Sequence, residues 1–488
     1  MKYLLSLLTM VFIFSCNTHL SDSMIAGGLS DEQYPEPACY DNCNEKYTDY
    51  GENPFKDVAE EPVSTFSVDA DGGSYANSRR YLSLGQRPPT AAVRIEEFIN
   101  YFTFDYKEPE GDENISIESE IASCPWQDDH HLLRFGIKGR SVTHEALPDA
   151  NFVFLIDVSG SMNAADKLGI LKSGFKMLTD SLRDNDRVAI VTYAGSAGVL
   201  LQSTNGDEKS KIKQAIDQLG AGGSTAGAAG IHTAYEIAQQ YFIPDGNNRV
   251  ILGSDGDFNV GPSSTDDLVA LIEEKRKSGI YLTVLGVGSG NLNDAMMEQL
   301  ANKGNGTYEY IDNSHQLQKI FIEDRERFFS VAVDAKIQVT FNEKRIGQYR
   351  LIGYENRALS QDDFTNDTVD AGEIGAGQTI TAVYEVIIRD TTGEEEFAQF
   401  DFRYKKPGEN ESRLITHQVI DSPVLLSDAS ENMRFCSGIT TVGLLFKDSE
   451  YRGEASMTMA IDLIEDASTF DPSGFRNELR GLLVSMPR

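Results

Sequence analysis

The chain has 488 residues, a length that corresponds to roughly three domains. Hydrophobic residues make up 40% and charged residues 24%, a composition typical of a folded protein. Its 43 Lys and Arg residues against 76 Asp and Glu residues give a net charge of -33, which repels phosphate backbones and anionic lipid headgroups. The charge therefore argues against nucleic acid as a partner and is compatible with divalent cations.

Residues 1–16 have the features of an export signal. Lys2 provides a positive start, and residues 4–14 form an apolar stretch that is too short to span a bilayer. The motif IFSC, which ends at Cys16, resembles a bacterial lipobox, in which the cysteine is acylated and becomes the first mature residue. This resemblance implies a lipid on Cys16 and a location in the cell envelope, anchored to a membrane and either periplasmic or surface-exposed. An ordinary signal peptide with an incidental Cys16 is the alternative.

Four cysteines remain after Cys16, an even number for an oxidising compartment. They allow two disulfides in three pairings, which the sequence does not rank. Cys39 and Cys43 lack the Cys-x2-Cys spacing of a zinc site. The candidate disulfide cysteines are Cys39, Cys43, Cys124 and Cys436.

The segments before residue 150 differ in their hydrophobic pattern. Residues 17–55 have almost no apolar period, which predicts a flexible stalk. Residues 56–145 combine helix-like spacing with stretches at 115–121 and 132–137 that alternate at period two. Such alternation predicts half-buried antiparallel strands.

Residues 150–330 alternate between apolar strands and amphipathic helices. This order predicts a doubly wound, mostly parallel sheet wrapped by helices. The first helix has apolar residues at spacings of three and four, which predicts one buried face. These residues are Leu168, Leu171, Phe175, Leu178 and Leu182.

The chain after residue 330 returns to strands and then to helices. Residues 331–425 predict a β-sandwich-like domain, and residues 426–488 predict a helical C-terminal region. If the strands at 115–137 share a sheet with the later ones, the α/β domain is an insertion between two halves of a β domain. The predicted fold class is therefore an α/β domain between β-rich flanking segments.

Oxygen-bearing side chains follow the first strand of the α/β domain at Asp157, Ser159 and Ser161. In an open parallel sheet, ligands bind beyond the carboxyl ends of the strands. Two further loops should reach the same edge, one with Thr225 after a run of glycines and one with Asp255 after a strand. We therefore expect these five side chains to meet at one point.

This set of residues resembles the metal-ion-dependent adhesion site of a von Willebrand factor type A (VWA) domain. The resemblance implies a Rossmann-like fold that holds Mg²⁺, with Mn²⁺ or Ca²⁺ as alternatives. It also implies that Ser159, Ser161 and Thr225 bind the metal directly, whereas Asp157 and Asp255 hold its waters.

Two neighbouring residues bear on this assignment. Ser224 leaves open which hydroxyl of its loop binds the metal, and Asp257 is interpreted as a turn residue.

Other segments are similar to the YfbK-type bacterial VWA proteins, for example RIEEFINYF at 94–102 and VGLLFKDSEYRG at 442–453. That similarity extends from about residue 53 to the end and implies the flanking domains without a substrate.

The glycine-rich loops do not fit a nucleotide site. The loop LGVGSGNLND has Asn291 where the dinucleotide fingerprint needs its third glycine. No Gly-x-Ser-x-Gly motif of a serine hydrolase is present. We therefore expect neither a nucleotide ligand nor an enzyme.

The donor types favour a binding function. A divalent ion held by neutral hydroxyls, with carboxylates that mainly bind its waters, remains under-neutralised and attracts an external carboxylate. The expected function is a membrane-tethered, metal-dependent adhesion or scaffold module that binds a protein partner through an Asp or Glu. The alternatives are a metal-assisted hydrolase, which needs a general base near the metal, and a structural envelope or stress-related assembly component with a vestigial site.

Overall fold

The apolar run before Asp157 forms a central strand of the α/β domain. All residues of Ala150–Asp157 are buried, and this strand has a parallel neighbour on each side. A strand covered on both faces has no side that faces water, which explains its consecutive apolar residues. The computed structural model describes residues 44–68, 71–194, 196–222, 227–256, 265–367, 369, 371–393 and 395–487.

Strands and helices follow one another in the order that the sequence predicts. The strands are β1 Lys56–Asp57, β2 Val63–Ser67, β3 Ile115–Ser123, β4 His131–Gly139, β5 Ala150–Asp157, β6 Arg187–Tyr193, β7 Ala197–Asn205, β8 Asn247–Ser254, β9 Tyr281–Val287, β10 Tyr308–Ile311, β11 Ser330–Phe341, β12 Ile346–Ile352, β13 Gly372–Gly375, β14 Thr379–Ile388, β15 Ala398–Lys405 and β16 Ser412–Val419. The helices are α1 Gly73–Ser83, α2 Ile95–Asn100, α3 Ile170–Ser181, α4 Lys209–Asp217, α5 Gly227–Gln240, α6 Thr265–Lys275, α7 Asp294–Lys303, α8 Ser314–Gln318, α9 Glu431–Lys447, α10 Met457–Glu465 and α11 Phe475–Ser485.

The sheet of the α/β domain has the strand order β10-β9-β8-β5-β6-β7. Its strands pair in parallel except β7, which runs antiparallel to β6. Alternate side chains of β5 enter two hydrophobic clusters: Val153 and Leu155 pack on the side of α5, and Phe154 packs on the side of α3. The Phe154 and Phe175 rings are stacked with centroids 4.3 Å apart. The doubly wound sheet and the buried face of its first helix are therefore confirmed.

Strands from both sides of the α/β domain build one β-sandwich. Strand β4, which precedes that domain, pairs with β14, which follows it, and β2 pairs in the same way with β11. The two sheets have the orders β1-β12-β14-β4-β3 and β13-β11-β15-β16, with β2 beside β11. The rings of Phe135 and Phe400, one from each sheet, lie 4.4 Å apart. The α/β domain is therefore an insertion in a β domain, as predicted.

The three C-terminal helices cover the two N-terminal ones. Phe435 of α9 packs edge-on against Phe102, with ring centroids 5.0 Å apart. Phe475 of α11 packs against Tyr101 in the same way at 5.3 Å. These aromatic rings belong to the same hydrophobic cluster as one face of the α/β sheet. The helical C-terminal region therefore packs onto the rest of the fold.

Residues 44–55, which the sequence assigns to the stalk, are packed against the fold. The backbone amides of Asn44 and Lys46 donate hydrogen bonds of 3.0 and 2.8 Å to the loop between β9 and α7. Both carboxylate oxygens of Glu45 accept hydrogen bonds from Arg80. Burial opposes ionisation of Glu45, but Arg80 holds its pKa at about 2. Asn53 donates hydrogen bonds of 3.2 and 2.8 Å to the carbonyls of Leu351 and Gly353. The stalk prediction is therefore wrong for residues 44–55, which are held at both ends by contacts with the fold.

Two cysteines of the described part of the chain are free thiols. Cys124 and Cys436 are both buried and unbridged, so the disulfide that the sequence allows between them is not formed. The backbone amides of Trp126 and Gln127 face the Cys124 thiol instead. Burial raises the pKa of the Cys436 thiol to about 12, which makes it unreactive near neutral pH.

The predicted lipid anchor cannot be placed in this fold. Cys16, Cys39, Cys43 and the stalk residues 17–43 lie outside the described residues. Within the described ranges, no helix is long and apolar enough to cross a bilayer.

Candidate metal-binding site

The first predicted site loop lies at the carboxyl end of β5. Asp157 is the last residue of that strand and is fully buried. Its Oδ1 atom accepts a 2.8 Å hydrogen bond from the backbone amide of Ser159. The chain then makes a short 3-10 turn, Gly160–Asn163, which brings the Oγ atoms of Ser159 and Ser161 within 3.0 Å. One carboxylate and two hydroxyls therefore share this corner of the sheet.

The second carboxylate comes from the neighbouring strand. Asp255 follows the last residue of β8 and is fully buried. The preceding residue, Ser254, donates a 3.2 Å hydrogen bond from its Oγ to Oδ2 of Asp157. Because β5 and β8 are parallel and adjacent, Asp157 and Asp255 lie at the same edge of the sheet, as predicted.

The third predicted loop approaches the same edge. The backbone amide of Gly222 donates a 2.7 Å hydrogen bond to the carbonyl of Val158, within the first loop. The next helix begins at Gly227. Thr225, Ser224 and Asp257 lie outside the described residues, so the role of Thr225 stays a prediction.

Two side chains that the sequence does not single out also reach the site. Lys167 donates a 3.0 Å hydrogen bond from Nζ to Oδ2 of Asp255. Asn291, from the loop between β9 and α7, donates a 3.0 Å hydrogen bond to the same oxygen. Lys167 also donates to Oδ1 of Asn291 at 2.7 Å. In the sequence, Asn291 stands out only as the residue that breaks a nucleotide motif, and Lys167 lies in a segment with an ordinary amphipathic pattern.

Burial dominates the electrostatics of the first carboxylate. It raises the pKa of Asp157 to about 6, hydrogen bonds from Ser159 act in the opposite direction, and the charge of Asp255 raises it further. Burial and the negative charge of Asp157 also raise the pKa of the nearby Tyr193 well above its usual range. A cation at this point would lower the free energy of two carboxylates that lack water.

The donor types fit a hard divalent cation. Carboxylate and hydroxyl oxygens are the ligands that Mg²⁺ prefers, and Mg²⁺ usually keeps several waters. Among the described residues, no group of three or more His, Cys, Asp or Glu side chains could hold a metal ion. A metal at this edge therefore needs the hydroxyls of Ser159 and Ser161 in addition to the two carboxylates.

A cavity of about 410 Å³ lies away from this site. It is lined by Arg249 near the start of β8, by Thr307 directly before β10 and by Glu373 from the β domain. These positions are at the amino ends of the parallel strands. The cavity is therefore not part of the candidate metal-binding site.

We expect Glu373 to make the stability of the protein dependent on pH. Burial raises the pKa of its carboxyl to about 7, with the charge of Arg249 acting in the opposite direction. The folded state therefore binds this proton more tightly than the unfolded state, so the stabilisation is complete below pH 4.5 and is lost as the pH rises through 7. We expect Glu373→Gln to remove about 1–3 kcal/mol of the fall in unfolding free energy between pH 5 and 8.

Urea denaturation of both proteins at several pH values measures this difference. Glu395→Gln is the matched control, because Glu395 is an exposed carboxylate of the same domain whose pKa is lowered by Lys344. Parallel pH curves for the wild type and Glu373→Gln would contradict the expectation.

Three family sequence models match consecutive parts of the chain. The von Willebrand factor type A domain matches residues 151–323. A model described as von Willebrand factor matches residues 41–134, and one described as uncharacterized protein YfbK, C-terminal, matches residues 326–487. The α/β domain is therefore a VWA domain.

The chain is also similar to proteins of known sequence or structure. The uncharacterized protein YfbK of Escherichia coli (strain K12) is 38% identical over 467 residues, which cover 90% of this chain and 80% of that protein. The magnesium-chelatase 67 kDa subunit of Chlorobaculum tepidum is 27% identical over 41% of this chain and 33% of its own length. The solved structure of a von Willebrand factor type A protein from Catenulispora acidiphila covers 79% of this chain and is itself covered to 99%, with 16% identity and a TM-score of 0.44.

Proposed function

Since this chain belongs to the family of the protein YfbK and contains a VWA domain, we propose that it is a metal-dependent protein-binding module. In this proposal the edge formed by Asp157, Ser159, Ser161 and Asp255, completed by Thr225, holds a divalent cation, normally Mg²⁺. The cation binds a carboxylate that a partner protein presents. The module is tethered to a membrane of the cell envelope by a lipid on Cys16.

One observation carries the proposal: two buried carboxylates and two paired hydroxyls occupy the carboxyl edge of adjacent parallel strands. Burial disfavours the charge of the Asp157 carboxylate, and the same low dielectric strengthens its attraction to a bound cation. Hydroxyl ligands contribute no negative charge. Because Asp157 and Asp255 bind the waters of the ion in this proposal, its direct ligands leave it with a positive charge that a partner Asp or Glu can neutralise.

Hydrolysis would need a general base among the same residues. A general base must be able to take a proton from a metal-bound water. Asp157 already accepts hydrogen bonds from Ser159 and Ser254, and Asp255 accepts from Lys167 and Asn291. A metal-assisted hydrolase is therefore the second candidate, and turnover that disappears with Asp157→Ala would favour it.

Thermal unfolding of the mature chain with and without Mg²⁺ or Mn²⁺ tests the metal site. At one hundred times its dissociation constant, a ligand that binds only the folded state stabilises it by about 2.7 kcal/mol. We expect such a shift in the wild type and none in Asp157→Ala. Asp180→Ala is the matched control, because Asp180 is an exposed carboxylate that pairs with Lys213 on the domain surface. A shift that survives in Asp157→Ala would overturn the assignment.

Capture by immobilised peptides tests the partner chemistry. Short peptides that present Asp or Glu are compared with matched Asn or Gln peptides, in Mg²⁺ and in EDTA. We expect retention only for the acidic peptides and only with Mg²⁺. Equal retention of the amide peptides would contradict recognition of a carboxylate.

A further inference from the structure

Lys167 is a buried cation in direct contact with the candidate metal-binding site. Its side chain is only 8% exposed, and its Nζ atom lies 3.0 Å from Oδ2 of the fully buried Asp255. Its second partner, at 2.7 Å, is Oδ1 of Asn291. A buried ammonium requires such partners, because an uncompensated charge in a protein interior is strongly unfavourable.

The fold provides a slot for this side chain. Lys167 lies in a π-helical turn, Ala165–Gly169, that precedes α3, and such turns often occur at functional sites. On the opposite side, Gly288 has a φ of 77°, and a Cβ atom there would lie 2.4 Å from Cγ and Cε of Lys167. The Tyr310 hydroxyl donates a 2.8 Å hydrogen bond to the Gly288 carbonyl. Glycine at position 288 therefore makes room for the lysine side chain to reach Asp255.

The loop between β9 and α7, which carries Asn291, is held in place by residues 44–46. The backbone amide of Gly290 donates a 2.7 Å hydrogen bond to Oε1 of Glu45. The backbone amides of Asn44 and Lys46 bind carbonyls of the same loop. Asn291 lies between these anchored positions, so the ammonium meets a preformed acceptor.

We propose that Lys167 is a built-in counter-ion of Asp255 that competes with the divalent cation and sets the affinity of the site. The inference rests on the proposed function and adds the regulation of the same site. The ammonium neutralises one of two buried carboxylates, so its charge repels an incoming Mg²⁺. It also occupies Oδ2 of Asp255, which a metal-bound water would need as an acceptor. The metal therefore binds fully only when Lys167 withdraws from Asp255.

Titration calorimetry with Mg²⁺ and with Mn²⁺ on the mature chain tests this competition. Lys167→Met removes the charge and keeps most of the aliphatic side chain. We expect it to bind Mg²⁺ at least tenfold more tightly than the wild type. We also expect a lower unfolding temperature than the wild type in EDTA, because the Asp255 carboxylate loses its counter-ion.

Lys176→Met is the matched control. It removes the same charge from α3, but Lys176 forms an exposed ion pair with Asp217. We expect its Mg²⁺ affinity to equal that of the wild type. Lys167→Gln is a second neutral variant with a polar end, and it repeats the measurement if Lys167→Met does not fold.

The outcomes separate the two proposals. Unchanged or weaker Mg²⁺ binding in both neutral variants, with a wild type that binds, would refute the competition and leave the proposed function intact. Binding by the neutral variants alone would establish that Lys167 silences the site. No binding by any variant would reject the metal function and this inference together.

Discussion

Replacing Arg94 with alanine is expected to lower the free energy of unfolding by about 3–5 kcal/mol. Its guanidinium binds Glu97 on the next turn of its own segment, and it binds Asp294 at 2.6 Å and approaches Glu298 at 3.6 Å across the junction with the VWA domain. All four side chains are at most 3% exposed. The variant removes the buried cation that all three acidic groups contact, which costs far more than the loss of a surface ion pair.

Urea denaturation followed by circular dichroism measures this loss. Arg452→Ala is the matched control, because Arg452 pairs with Asp448 at an exposed site where both side chains are about half accessible. We expect a change below about 0.5 kcal/mol for that variant. A loss of less than about 1 kcal/mol for Arg94→Ala would mean that the three acids are neutralised in another way.

Much of the fold follows from the period of the apolar residues. The run before Asp157 predicts a strand that is buried on both faces, and the spacing from Leu171 to Phe175 predicts the face that α3 presents to Phe154. The alternation at 115–137 predicts half-buried strands, which is correct for β3 but wrong for β4, whose residues 132–137 are all buried in the middle of a sheet. The pattern also does not name the partners of these strands. Only the structure pairs β4 with β14, because strand pairing over such a separation leaves no local pattern.

Buried polar residues are where the sequence misleads. Glu96 and Glu97 of α2 are charged, yet both are buried. Asp71 is also buried, and its Oδ1 accepts a 2.9 Å hydrogen bond from the backbone amide of Tyr308. A charged residue has the same appearance in the sequence whether its partner is water or an arginine two hundred positions away. The hydrophobic period therefore does not reveal the buried charged residues that join the segments.

The positions of Asp157 and Asp255 can be predicted from the sequence, unlike those of the other buried polar residues. Asp157 and Asp255 each end a recognisable strand, and the strand order of a doubly wound sheet brings such ends together. Lys167 could not be found in this way, since its partner lies 88 positions further along the chain. The sequence feature related to Lys167 is Gly288, which makes room for its side chain. This role of the glycine can be recognised only when the residue that faces it is known.

Excision of residues 150–330 is expected to give a domain that is not stably folded, although a VWA domain has its own sheet and helices. The ring of Tyr308 packs directly on α1, where a Cβ on Gly73 would lie 2.5 Å from it. The ring of His315 stacks on Phe475 at 4.1 Å. Tyr310 is also buried within the cluster that includes the flanking helices.

Arg79 and Arg94 of the N-terminal segment pair at 2.6 Å with Asp312 and Asp294 of the excised domain. These two carboxylates become hydrated after excision, so the cost arises mainly from apolar surface. An aromatic side chain buries about 150–250 Å², and exposing half of that area on two rings costs about 5 kcal/mol at 25 cal/mol per Å². This equals the lower end of the total stability of a typical domain. We therefore expect the excised domain to bind a hydrophobic dye and to lack a cooperative unfolding transition.

The chain from residue 17 onward, measured under the same conditions, is the control and should show a cooperative transition without dye binding. A sharp transition in the excised domain would mean that the VWA sheet is stable without its flanking layers. In that case the buried arginines of the junction would serve to orient the site relative to the β-sandwich, because the domain would not need them to fold.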